Sequence, residues 1–168
     1  MDSPKSNGRP IILSEAAYNS IAKIVEALAA NTRADVIVFA DANGYPIIHK
    51  GGIDNLDLSI ISSLAASNFS ATAKMAAMIG ESDSFKFLFH EGERTNMYLS
   101  NVGFNFILLV IFKVDVALGM VRVFTRKAIE ELISTLSSLK QDEEKTKEVF
   151  DLEFKTLLSE ELDRSFKF

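Results

Sequence analysis

Two histidines, His49 and His90, and a scatter of carboxylates are the side chains of this sequence that could act as general acids, general bases or metal ligands. Neither histidine belongs to an HxxxH or HExxH pair, and both stand at the end of an apolar, strand-like run next to a turn. Asp41 with Asp57, or Glu91 with Glu93, are the pairs that could divide acid and base work. Each of these carboxylates also falls in a turn or at a helix cap, where an acceptor is needed for local reasons. Gly51-Gly52 lies between a strand pattern and a helix pattern but lacks the Lys and hydroxyl of a phosphate-cradling loop, so it reads as a turn. No GxSxG and no Cys occur, which removes the serine elbow, thiolate chemistry, disulfides and Cys-rich zinc sites. No catalytic residue, metal site or cofactor site is assigned, and interaction surface is what remains.

Composition argues against a nucleic-acid surface. Net charge is -5, and no Lys/Arg cluster interrupts the acidic balance. The longest apolar run, Phe104 to Phe112, contains Asn105 and falls far short of the roughly 20 residues that span a bilayer, so no membrane insertion is expected. The start MDSPKSNGRP has no apolar signal core, and a cytoplasmic protein is the expectation.

The elements follow from period and punctuation. Residues 1–10 read as a disordered lead-in, 11–139 as one domain, and 140–168 as a charged linker followed by an amphipathic helix. Ser14 caps a first helix with Ala17, Ile21, Ile24, Val25 and Leu28 on one side, ending near Asn31. Asp35–Ala40 and Tyr45–Lys50 form a hairpin around Asp41-Ala42-Asn43-Gly44. A second helix starts at Asp54, Asn55 or Asp57 and stops at Gly80. Ser84–His90, Thr95–Asn101 and Asn105–Val114 make an antiparallel meander, with a break at Val102-Gly103. The last of these strands is apolar on both faces, which calls for helices on both sides of the sheet. Val116–Leu139 reads as a long third helix, although GMVRVF could be a sixth strand.

The second helix has an unusual distribution of side-chain size. Ile61, Leu64, Ala65, Asn68, Phe69, Thr72, Met75, Ala76 and Ile79 form the stripe expected to face the sheet. Ser59, Ser63, Ala66, Ser67, Ser70, Ala73, Lys74 and Ala77 form the other side, nearly free of bulk and charge, which suggests close approach of another backbone. The strand Ser84–His90 opens the meander at a free edge and carries Phe85, Phe87 and Phe89. Pairing of that edge and that helix across a two-fold axis makes a homodimer the expectation.

This order of elements, with FADANGYPIIHKGGIDNLD, LAASNFSATAKMAAMIGE, FLFHEGERTNMYLSNVG and FILLVIFKVDVALGMVRVFTRKAIEEL, resembles the roadblock family, and within it the bacterial MglB type. The resemblance implies an α+β fold of profilin-like topology: a five-stranded antiparallel sheet, helices on both faces, and dimerisation through the third strand and second helix. It also favours the long third helix over a sixth strand. It implies a non-enzymatic partner of a small Ras-like GTPase of the MglA type, which stimulates GTP hydrolysis without an arginine finger in bacterial polarity or motility. Contacts to that GTPase or to the second protomer are then expected at Ser59, Ser63, Ala66, Ser67, Ser70, Ala73, Lys74 and Ala77. Arg94 falls in a turn, and Arg122 and Arg126 face out of a helix. The tail, with Phe150, Phe154, Leu157, Leu158 and Leu162 on one side, either reaches a second GTPase surface or packs back on its own sheet. A scaffold without effect on GTP is the competing reading. A small-molecule sensor is a third, weighed against by the few inward polar groups expected on the strands.

Overall fold

A computed structural model describes residues 13–81 and 85–139 of the chain. The lead-in over 1–10, the strand start at Ser84 and the tail over 140–168 lie outside the described residues.

Helix α1, Glu15–Thr32, begins where Ser14 Oγ accepts the Ala17 amide at 3.3 Å, and it buries Ala17, Ile21, Val25 and Leu28 as the spacing requires. The strands β1 (Val36–Asp41) and β2 (Pro46–Gly51) follow as a hairpin. Asp41 Oδ1 accepts the Asn43 and Tyr45 amides, both at 2.9 Å, so that carboxylate is committed to the turn. Helix α2, Leu58–Met78, starts at Asp57, whose Oδ1 accepts the Ser59 and Ile60 amides at 2.9 and 3.0 Å. Removing that cap in Asp57→Ala should cost about 1 kcal/mol, read as a fall of about 2–4 °C in Tm, with no change in oligomeric state.

The meander consists of β3 (Phe87–His90), β4 (Thr95–Gly103) and β5 (Phe106–Lys113). Its second turn is displaced by two residues from the Val102-Gly103 expectation. Phe104 and Asn105 form it, with φ of 53° and 65°, because a two-residue hairpin loop must follow the right-handed twist of its strands. The long segment after β5 is helical over 118–139, here α3, and GMVRVF belongs to it rather than to a sixth strand.

All strand pairings are antiparallel and the sheet order is β2-β1-β5-β4-β3. The strand β5 is central and buried from Phe106 to Phe112, as its two-faced apolarity demands. On one face α1 and α3 enclose Ile37, Phe39, Leu108, Val110 and Phe112. On the other face, α2 is the one helix among the described residues that covers Val36, Val38, Ala40, Leu109 and Ile111. The strand β3 is short, pairs with β4, and among the described residues forms an edge of the sheet.

Candidate interaction face on helix α2

The sheet surface under α2 is filled by β-branched and Leu side chains, so the helix can approach only with small residues turned inward. Ser62, Ala65, Ala66 and Ala76 are buried there, and Phe69 is the one bulky side chain among them. The bulk expected to face the core faces outward instead: Leu64 is 61% exposed and Met78 86%, and Ile60, Met75 and Ile79 are exposed with them. The stripe named from the sequence is therefore corrected at Leu64, Met75 and Ile79. Ala66, at 6% exposure, moves in the opposite direction, from the expected interaction face into the core.

Ser59, Ser63, Ser67, Ser70, Lys74 and Ala77 are exposed and Ala73 is half-buried. Ser67 Oγ donates to the Ser63 carbonyl at 2.9 Å, which removes its polar group from competition at the surface. The residues Ile60, Leu64, Ser67, Ala71, Lys74 and Met78 succeed one another at four- and three-residue intervals. They form a near-continuous outward stripe with one charge in it. Ile60, Ala71 and Met78 were missed by the sequence reading, and that interval was the signal that could have found them.

One close backbone approach to the small-residue side comes from within the chain. Gly44, buried and at φ +90°, rests against Ser63 Cα, and a Cβ there would stand 2.7 Å from Ser63 N and 2.9 Å from Ser62 O. The β1–β2 turn thus seats the N-terminal half of α2, and exposed Tyr45 stands beside it.

The second expected element is the edge. Among the described residues β3 has no strand on its outer side. Its aromatic rings do not project along that edge. Phe87 stacks on Tyr98 with centroids 5.0 Å apart, Phe89 lies 6.4 Å from Phe112, and Phe85, half-buried, precedes the strand. What the edge offers to a partner is backbone, with Leu88 on the α2 side. Asn68 Nδ2 and His90 Nε2, 3.1 Å apart, tie α2 to the end of β3, so helix face and edge are held as one surface.

The polar candidates stay apart. His49 is exposed on β2, far along the sheet order from His90 on β3. Glu91 and Glu93 are exposed in the β3–β4 turn. Among the described residues no three His, Asp or Glu side chains are grouped to hold a metal ion, and no helix is long and apolar enough to cross a membrane. Arg94 is exposed in that same turn. Arg122 does face out of α3, but its guanidinium lies 4.8 Å from the centre of the Phe87 ring.

Comparison with known proteins bears on this arrangement. Residues 21–112 match the Roadblock/LC7 domain model, a span that takes in most of α1, all of α2, β1 to β4 and all but the last residue of β5. The chain belongs to the Roadblock/LC7 family. Among solved structures it is similar to Myxococcus xanthus MglB, 33% identical with a TM-score of 0.71 over 77% of this chain and 96% of that one. It is similar to an MglB solved in a tetrameric arrangement, 27% identical, TM-score 0.71, over 76% and 95% of the two chains. The gliding protein MglB of Thermus thermophilus gives 26% identity and a TM-score of 0.68 over 76% and 96%. This roadblock chain is MglB-like, and its family is a regulatory rather than an enzymatic one.

Proposed function

We propose that this roadblock protein is a homodimeric, non-catalytic regulator that binds a small Ras-like GTPase of the MglA type and stimulates its GTP hydrolysis. It acts in the cytoplasm, at a cell pole, in bacterial polarity or motility. The outward face of α2 carries the reading. A helix that turns Ile60, Leu64, Met75 and Met78 to solvent, next to an open strand edge, gains stability when that face is covered. Two copies joined at β3 and α2 cover part of it, and the two helices, with Ser59, Ser63, Ser67, Ser70, Lys74 and Ala77 in reach, form the platform for the GTPase. The tail supplies a second contact through Phe150, Phe154, Leu157, Leu158 and Leu162, tuning nucleotide exchange.

The mechanism is positioning. With Arg122 held over its own Phe87 ring and Arg94 in a turn, stimulation comes from ordering the GTPase's own switch residues. Arg94→Ala is accordingly expected to retain stimulation within about threefold, whereas loss of a true finger costs about 10³ or more. The decisive test is GTP turnover by a P-loop GTPase encoded beside this chain, measured with increasing regulator. Saturable acceleration is expected, and binding without acceleration at saturation would make the protein a scaffold.

A further inference from the structure

On the other face of the sheet, a groove of about 1220 Å³ runs between β4 and α3. Its lining changes character along its length. At one end Tyr98 of β4 faces Arg122 of α3; Ser100, Thr125 and Arg126 occupy the middle; Val102, Ile129 and Ile133 form the other end. From Arg122 to Ile133 the helix rises about 17 Å. From Tyr98 to Val102 the strand advances about 13 Å.

Two observations point to a ligand. Ser100 Oγ and Thr125 Oγ1 belong to residues only 1% exposed; among the described residues Thr125 Oγ1 has no hydrogen-bond partner, and Ser100 Oγ has none beyond the neighbouring Tyr98 phenol. Buried hydroxyls are seldom left so, since each forgoes the hydrogen bond that water would have given it. Both lie just beneath the groove surface, and a turn about χ1 brings either into it. Beside them the charge is positive, with Lys86, Arg122 and Arg126 against Glu81. The Tyr98 phenol is a further donor: burial raises its pKa, with Arg122, Arg126 and, least, Ser100 pulling the other way, so at neutral pH it carries its proton. The strands present few inward polar groups, as the sequence suggested; Tyr98 and Ser100 are those in the groove, and α3 supplies the others.

We infer that this groove binds a small anionic amphiphile, of the medium-chain carboxylate class. The carboxylate sits among Arg122, Arg126, Ser100 and Thr125, and the hydrocarbon lies on Val102, Ile129 and Ile133. Two arginines with hydroxyl donors at one end and apolar side chains at the other match a ligand with one charged head and one short tail. The head and tail subsites lie on the sheet face opposite α2, and the groove reaches the β3 edge at Lys86 and Phe87.

The probe is octanoate, titrated into the full-length ¹⁵N-labelled chain, with octanol and inorganic phosphate as the headless and tailless counterparts. Saturable shifts of the Ser100, Val102, Thr125 and Ile129 amides are expected for octanoate, with octanol at least about tenfold weaker because the arginines then face no charge. Thr125→Val removes one unpartnered hydroxyl at equal shape. It should keep or raise Tm while weakening octanoate, a pairing that a purely structural role for Thr125 does not give. Arg122→Ala with Arg126→Ala should weaken octanoate by more than about tenfold. Equal binding of octanol, or no saturable response, overturns the inference. So does sedimentation with anionic-lipid vesicles that depends on the same residues, which would make the groove a membrane contact. If Phe154→Asp shifts the groove amides in the absence of octanoate, the chain's own tail occupies the groove and the inference also fails.

Discussion

Gly44→Ala is expected to lower Tm by about 6–12 °C. Two costs combine. Gly44 holds φ at +90°, where an L side chain is strained by about 1–3 kcal/mol. The new Cβ would also stand 2.7 Å from Ser63 N and 2.9 Å from Ser62 O. Those are main-chain atoms of α2, which cannot step aside as a side-chain tip could, so the helix must shift as a body. Overpacking of that kind costs about 1–3 kcal/mol again. The displaced element carries the outward apolar stripe, so partner binding should weaken along with Tm. Thermal unfolding and sedimentation of the variant check both. A fall in Tm of less than about 3 °C would mean that the hairpin does not seat α2, and the account of the helix's orientation would have to be abandoned.

Ser67→Arg separates fold from function in the opposite way. Ser67 is exposed at the middle of the outward stripe and contributes only a hydrogen bond to Ser63 within its own helix. The substitution should move stability by no more than about 0.5 kcal/mol, as surface changes do. At an interface the same arginine becomes a buried charge with no partner, and association should weaken by about a hundredfold. The expected result is a chain with unchanged Tm that sediments as a monomer, fails to stimulate the GTPase, or both. Which of the two is lost tells whether Ser67 meets the second copy or the GTPase. Glu130→Arg, exposed on α3 across the sheet, serves as the charged-surface control and should leave both intact. Dimer and stimulation both preserved in Ser67→Arg would remove α2 from the proposed function.

Both predictions turn on the rotation of α2 about its axis, and here the sequence was least legible. The stripe read from the sequence passes through Leu64, Met75 and Ile79, whereas the buried side is centred on Ser62, Ala65, Ala66, Phe69 and Ala76, a rotation of roughly 75° where each residue turns about 100°. The reason is chemical. A helix with apolar residues on two opposite faces has no single hydrophobic direction, and size then invites the assumption that bulk belongs inside. The sheet reversed that assumption, because β1 and β5 already fill much of the space with Val, Ile and Leu, and the helix seats itself there on Ser62, Ala65, Ala66 and Ala76 with Phe69 as the one large buried side chain. The helix α1, with one apolar face, was read correctly from Ser14 onward, and the hairpin was legible from the turn chemistry at Asp41. The turn at Phe104-Asn105 was misplaced because a bulky residue in the left-handed region is a poor prior, tolerated only where strand twist demands it.

What the sequence determined by itself was everything set by local pattern: the order of elements, the alternation and two-faced apolarity that build a five-stranded antiparallel sheet with helices on both sides, the caps at Ser14 and Asp57, and the absence of a catalytic constellation among its motifs. Tertiary structure alone decided which way α2 faces, that Gly44 rests on Ser63, and that Tyr98, Ser100 and Thr125 meet under a groove. These depend on how much space is left between elements far apart in the chain. Period and propensity describe one element at a time, and the volume between two elements belongs to neither.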